Sequence, residues 1–160
     1  MSPLIDRRRF VATVVSASTM PAFARDTVEP IIDIHQHTHY HGRSDKQLIG
    51  HQQAMGITQT ILLPSGRPMT RPSTRAGRSN GLAARVLPNS SAKEIADQLP
   101  EEFYFGANEI TDHKDARKEI EKYLKLGGVV IGEQKFDVQV DSAESQDLYR
   151  LAADHGVPIL

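Results

Sequence analysis

No cysteine occurs anywhere in the 160 residues, which excludes a disulfide framework and every thiolate metal ligand and leaves His, Asp, Glu and Lys for any site chemistry. Tryptophan is missing too, an absence that constrains nothing by itself. A large charge of either sign is also lacking: the formal net charge is -1, so the chain carries no basic footprint and no nucleic-acid partner is expected. With 39% hydrophobic residues the composition is that of an ordinary globular protein, neither disordered nor fibrous.

The first 24 residues read as an export signal and are set aside from the domain count. Arg7-Arg8-Arg9-Phe10 leads into a moderate apolar stretch ending at Met20, and Ala22-Phe23-Ala24 supplies the small-x-small pattern that signal peptidase reads, with cleavage expected after Ala24. The apolar segment is too short to span a bilayer, so no stable membrane anchor is expected. The twin-arginine pair resembles the Tat export signal, although Asp6 stands where Ser or Thr is usual and no Lys follows. A periplasmic location, with the Tat machinery as a partner in transit, follows as an expectation. The plainer alternative is a basic N-terminal tail.

The most informative stretch comes next. Ile31-Ile32-Asp33-Ile34 is a β-branched apolar run that leads straight into His35-Gln36-His37. Side chains alternate across a strand, so His35 and His37 are expected on one face together with Asp33, and two imidazoles at one strand end can converge on one cation. Imidazole suits several divalent transition metals and chooses none of them. A polar surface turn would also contain histidines, and His39 and His41 continue the series into an apparent loop.

Beyond this stretch the chain alternates strands and helices. Ser44-Asp45-Lys46-Gln47 has the capping-box form and opens a helix to about Met55 that buries Leu48, Ile49 and Met55, with Gly56 as terminator. Ile57 to Leu63 reads as the second strand. Between Pro64 and Pro88 runs a long loop carrying Arg67, Arg71, Arg75, Arg78 and Arg85, with a helical turn expected near Gly81 to Arg85. Most of these arginines keep the loop solvated, and one could face a substrate. Ser91-Ala92-Lys93-Glu94 reads as a second capping box and Phe103 to Asn108 as a third strand. Asp112 to Leu126 forms a helix with Ala116, Ile120, Tyr123 and Leu124 inward, and Val129 to Phe136 a fourth strand. A helix capped near Asp141-Ser142 buries Leu148, Leu151 and Ala152, and a fifth strand begins at Val157.

Regular alternation with near-continuous apolar strands specifies a parallel sheet covered by helices. An open doubly wound sheet and part of a (β/α)8 barrel both fit. No Gly-rich phosphate turn follows the first strand, and metal ligands at a strand end favour the barrel, whose active site lies at the carboxyl face. The fold class expected is α/β, the N-terminal half of a (β/α)8 TIM-type barrel over residues 25–160. On the fourth strand, Glu133 and Lys135 share a face near the carboxyl end. Charged groups inside a buried strand must pair, ligate a metal or do chemistry, because desolvating them is costly. His51, His113 and His155 are read as surface or helix-end residues with no role.

Asp33-Ile34-His35-Gln36-His37 closing the first strand and Gly132-Glu133-Gln134-Lys135 closing the fourth resemble the amidohydrolase superfamily, above all its amidohydrolase 2 branch, over Ile31 to Leu160. The Gly-Glu form is also similar to TatD-like deoxyribonucleases of the same superfamily. The resemblance implies a (β/α)8 barrel in which His35 and His37 bind metal and Glu133 or Lys135 sometimes bridges to a second ion. The metal implied is Zn, with Mn or Fe as alternatives. It further implies histidines at the ends of strands five and six and an aspartate at strand eight, none of which lies within this sequence. Four βα units and a strand start are present, so the expectation is an incomplete barrel, inactive alone. The implied reaction is hydrolysis of an amide, lactone or related carbonyl of a small molecule, and decarboxylase and hydratase chemistry occur in the same branch. A reading of another class is a non-catalytic exported metal-binding module using His35, His37, His39 and His41.

Overall fold

The computed structural model describes residues 29–74 and 84–160. The export segment with its cleavage point after Ala24, together with Arg75, Arg78 and most of the helical turn expected from Gly81, lies outside the described residues. Three parallel strands, β1 (Ile32–Gln36), β2 (Gln59–Leu62) and β3 (Phe103–Phe105), pair in chain order. Beyond β3 the ladder continues through single parallel bridges, Ala107 to Ile131 and Ile131 to Ile159. The long fourth strand expected over Val129 to Phe136 is thus confined to the vicinity of Ile131, because Gly132 leaves the extended region at φ 129°.

Four helices follow the strands: α1 (Asp45–Ala54), α2 (Asn89–Gln98), α3 (Ala116–Lys125) and α4 (Ala143–His155). Ser44 caps α1 with the full reciprocal box to Gln47, and Ser142 caps α4 by accepting from the Ser145 N–H. Gly156 ends α4 in the left-handed conformation at φ 64°. Two helix starts differ from the sequence reading. Helix α2 begins at Asn89, so Ser91 lies inside its first turn and caps nothing; the Asn89 side chain instead bonds the backbone of Asn108. Helix α3 begins at Ala116 and not Asp112, because the Asp112 carboxylate is held by Ser73 and Arg71 and the intervening residues form a turn.

One apolar core unites the helices with the sheet: Leu48 of α1, Ile95 of α2, Ile120 of α3 and Leu151 of α4 all cluster with Leu62, Phe103 and Phe105. Truncating any of the large members to Ala should cost about 2–5 kcal/mol. Met55, expected in this core, sits at the end of α1 and is 62% exposed. The opposite face of the sheet carries Ile32 and Ile34, both exposed, with Ile61 and Tyr104 half-buried. Helices on one face of a parallel sheet whose strands run in chain order are the arrangement of a (β/α) barrel wall. No described helix is long and apolar enough to cross a membrane.

Candidate metal centre

The pairing of β1 with β2 slips by one residue at its carboxyl end: Asp33 lies opposite Thr60, but Gln36, three residues on, lies opposite Leu62, only two beyond Thr60. Such a bulge re-aims the side chains that follow it. Asp33 points toward the helices, where its carboxylate accepts from Gln52 Nε2 at 2.9 Å, and Gln52 in turn bonds Thr60. Burial would raise the Asp33 pKa, but hydrogen bonds from Gln52, the His35 N–H and Gln36, with the nearby His35 charge, hold it below the usual carboxylate range. Gln36 also lies on the helix side, taking a bond from Arg43 at 2.9 Å. His35 and His37 are left on the other side of the strand. The expectation that Asp33 shares their face is therefore corrected, since simple alternation fails across the inserted residue.

The two imidazoles meet edge to face with centroids 5.1 Å apart. His37 Nδ1 lies 2.7 Å from the Leu63 carbonyl, which can only accept, so Nδ1 carries the proton and Nε2 presents its lone pair. Fixing one ring nitrogen on a carbonyl is how proteins orient an imidazole for ligation through the other. Burial pushes the His37 pKa down, as do the neighbouring His35 and Lys135, against the opposing influence of Leu63 and Glu133. The shift favours the neutral ring, the form that binds a cation.

Glu133 completes the group. Its Oε2 lies 3.4 Å from His35 Nε2 and 3.8 Å from His37 Nε2, and these are the only His, Asp or Glu side chains among the described residues whose donor atoms converge in a set of three. Four-coordinate Zn with ligands near 2.0–2.1 Å separates neighbouring donors by about 3.3 Å, and the three donors here all lie within 4.8 Å of one another. Lys135 stands beside the set: its half-exposed ammonium pairs with the other oxygen, Oε1, of Glu133. His39 and His41 are not in it. Both adopt left-handed backbone conformations, and His39 Nδ1 is turned to the Arg85 carbonyl at 3.2 Å.

Asn108 escaped the sequence reading although it holds the centre in place. Fully buried, its Nδ2 donates both to the Pro64 carbonyl at 3.0 Å and to the Glu133 carbonyl at 2.9 Å, while its Oδ1 accepts from Gln134. The available signal was a polar pair, Asn108-Glu109, directly after an apolar strand. Gly132 is required beside it, because a Cβ there would lie 2.5 Å from the Leu160 carbonyl oxygen. Two of the loop arginines are engaged: Arg67 with Glu109 and Arg71 with Asp112.

Parallel strands in chain order, helices on one face and a His, His, Glu group at the carboxyl ends define an α/β chain of the barrel class with a candidate site where that class places its chemistry. No model of a known protein family matches the chain, and no curated protein matches it in sequence. Solved structures do. It is similar to 2,6-dihydroxybenzoate decarboxylase from Rhizobium, at 15% identity and a TM-score of 0.58 over 81% of this chain and 48% of that one. The same decarboxylase in complex with 2,6-dihydroxybenzoate gives 15% identity, a TM-score of 0.58 and coverage of 81% and 49%. An uncharacterized TIM-barrel protein from Bordetella bronchiseptica gives 17% identity and a TM-score of 0.55 over 81% of this chain and 54% of that one. The chain spans about half the length of these structures. Its fold is α/β, with the architecture of part of a TIM-type barrel.

Proposed function

We propose that this chain is part of a metal-dependent enzyme of the amidohydrolase type, in which His35, His37 and Glu133 hold a divalent cation, Zn before Mn or Fe. The observation that carries the reading is the convergence of His35 Nε2, His37 Nε2 and Glu133 Oε2 from two separate strand ends. A cation bound there would supply Lewis acidity, polarising a carbonyl and acidifying water toward neutral pH. The chain's own groups orient it. The Leu63 carbonyl sets the His37 tautomer, Lys135 occupies one oxygen of Glu133 so that the other faces the imidazoles, and half-exposed His35 marks the open side. The substrate is a small molecule, and the reaction proposed first is hydrolysis of an amide or lactone. Decarboxylation is the second reading, favoured by the likeness to structures named as a decarboxylase. Export by the Tat route to the periplasm is proposed with it.

The test is the metal content of the full-length chain by elemental analysis. His35→Ala, His37→Ala and Glu133→Ala should each lose the ion, whereas His39→Ala with His41→Ala should keep it. Loss of the ion in the His39→Ala, His41→Ala variant as well would establish the histidine-rich binding module instead. Release of carbon dioxide against formation of a new carboxylic acid separates the two reactions.

A further inference from the structure

A second charged group at the same end of the sheet is left unused by the centre. Glu109 is 2% exposed, and its carboxylate is saturated by protein: Oε1 accepts from the Arg67 N–H at 3.2 Å and the Ile110 N–H at 2.8 Å, and Oε2 pairs with Arg67 Nε. A carboxylate so far removed from water needs this many donors. The consequence falls on Arg67. Its Nε donates to Oε2 while its own backbone N–H holds Oε1 of the same carboxylate, so side chain and main chain of Arg67 meet one buried partner, and among the described residues no acceptor meets Nη1 or Nη2. The side chain keeps 37% exposure, whereas Glu109 keeps 2%.

The position is tied to the candidate centre. Gly66 is wedged between the segments that follow β3 and the fourth sheet position, since a Cβ there would lie 3.1 Å from Ile110 N and 3.2 Å from Phe136 Cζ. Pro64, three residues before Arg67, is held by the same Asn108 amide that holds Glu133. A pre-oriented guanidinium fork is the side-chain device best matched to a planar oxyanion, and a fixed fork loses little freedom when it binds.

We propose that Arg67 anchors a carboxylate of the substrate at the carboxyl face of the sheet, with Glu109 as the positioning residue that aims it. This rests on the proposed metal centre for the location of the substrate, and it names the substrate class: a small carboxylic acid, held by its anionic group.

The experiment compares binding of benzoate with that of its neutral isostere benzamide by calorimetry on the full-length, metal-loaded chain, with metal content measured in parallel. The native chain should prefer benzoate by about tenfold or more, the size of one charge-assisted bidentate contact. Arg67→Met should abolish the preference while retaining the metal. Arg67→Lys should keep part of it, since the charge remains and the fork does not. Glu109→Gln should reduce the preference, a result that a purely structural role would not produce. If loss of Arg67 leaves Glu109 uncompensated and the fold fails, the double variant R67M/E109Q removes both charges and gives the same reading. Equal affinity of the native chain for benzoate and benzamide, or an undiminished preference in Arg67→Met or the double variant, would overturn the proposal. Loss of metal from His37→Ala with the Arg67 preference intact would separate the two sites, whereas a native chain without metal would defeat the centre and leave the carboxylate test to be read by itself.

Discussion

Glu109 and Glu133 occupy equivalent places, each two residues beyond one member of the bridged pair Ala107 and Ile131, and both side chains are largely screened from solvent. Their surroundings differ in the number of N–H donors. Glu109 meets two backbone amides and a guanidinium, which occupy both of its oxygens. Glu133 meets one ammonium on one oxygen and two imidazole nitrogens on the other, at distances too long for direct hydrogen bonds of good geometry. The lesson is that burial at a strand end does not make a carboxylate a ligand. What decides is whether protein donors already saturate it.

Exchanging the two glutamates' roles by mutation is the sharpest way to break that comparison. Glu109→Ala leaves the Arg67 and Ile110 N–H groups without their acceptor and should cost about 1–3 kcal/mol in denaturant unfolding, with metal content preserved. Glu133→Ala should show the opposite pattern, near-native stability and metal affinity reduced about 100-fold or more. Loss of metal in Glu109→Ala at a temperature where the variant is folded would erase the distinction.

Asn108→Ala reaches both halves of the comparison, since its amide joins the turn before Arg67 to the backbone of Glu133. It should cost about 2–3 kcal/mol through buried carbonyls left without donors, and weaken metal binding about tenfold. Gly132→Ala sharpens the same point from the backbone: with φ at 129° and a neighbouring carbonyl 2.5 Å from the new Cβ, a loss of about 1–3 kcal/mol is expected in thermal melts. Ser142→Ala, at the start of α4 and outside the His35, His37 and Glu133 group, should lose about 1 kcal/mol and leave both metal and carboxylate binding unchanged.

The smallest effect expected is on pH. Because the folded His37 pKa lies below its ordinary value, the unfolded chain takes up its proton first as pH falls below about 6.5. Stability of the metal-free chain should therefore be fully present above that pH and decline as pH falls toward the folded pKa. His37→Asn, which can still donate to the Leu63 carbonyl, should flatten this decline in melts between pH 7.5 and 5.5, and an unchanged slope would remove His37 as its source.

Much of the local architecture was legible in the residue order. The Ser44 and Gln47 box, the Ser142 cap, the Gly156 stop and the inward stripes of α3 and α4 depend on side chains within a turn or two of one another, so the chain specifies them without help from distant partners. The His35 and His37 pair was equally plain, because an apolar strand that ends in two imidazoles needs a reason. Where helices α2 and α3 begin was not, since Asn89 and Asp112 are claimed by residues far along the chain.

The centre itself was decided by tertiary structure. Alternation alone would have put Asp33 beside the two histidines, and only the slipped pairing of β1 against β2 turns it to Gln52 and leaves the imidazoles on the other face. Glu133 and Lys135 were both candidates by sequence, Glu133 ahead because a carboxylate needs no modification to coordinate, and only the tertiary structure pairs the ammonium with one carboxylate oxygen while the other meets the rings. Glu109 shows why such choices are closed to sequence reading: its donors come from Arg67 and Ile110, one adjacent and one 42 residues away, and no local pattern records that meeting.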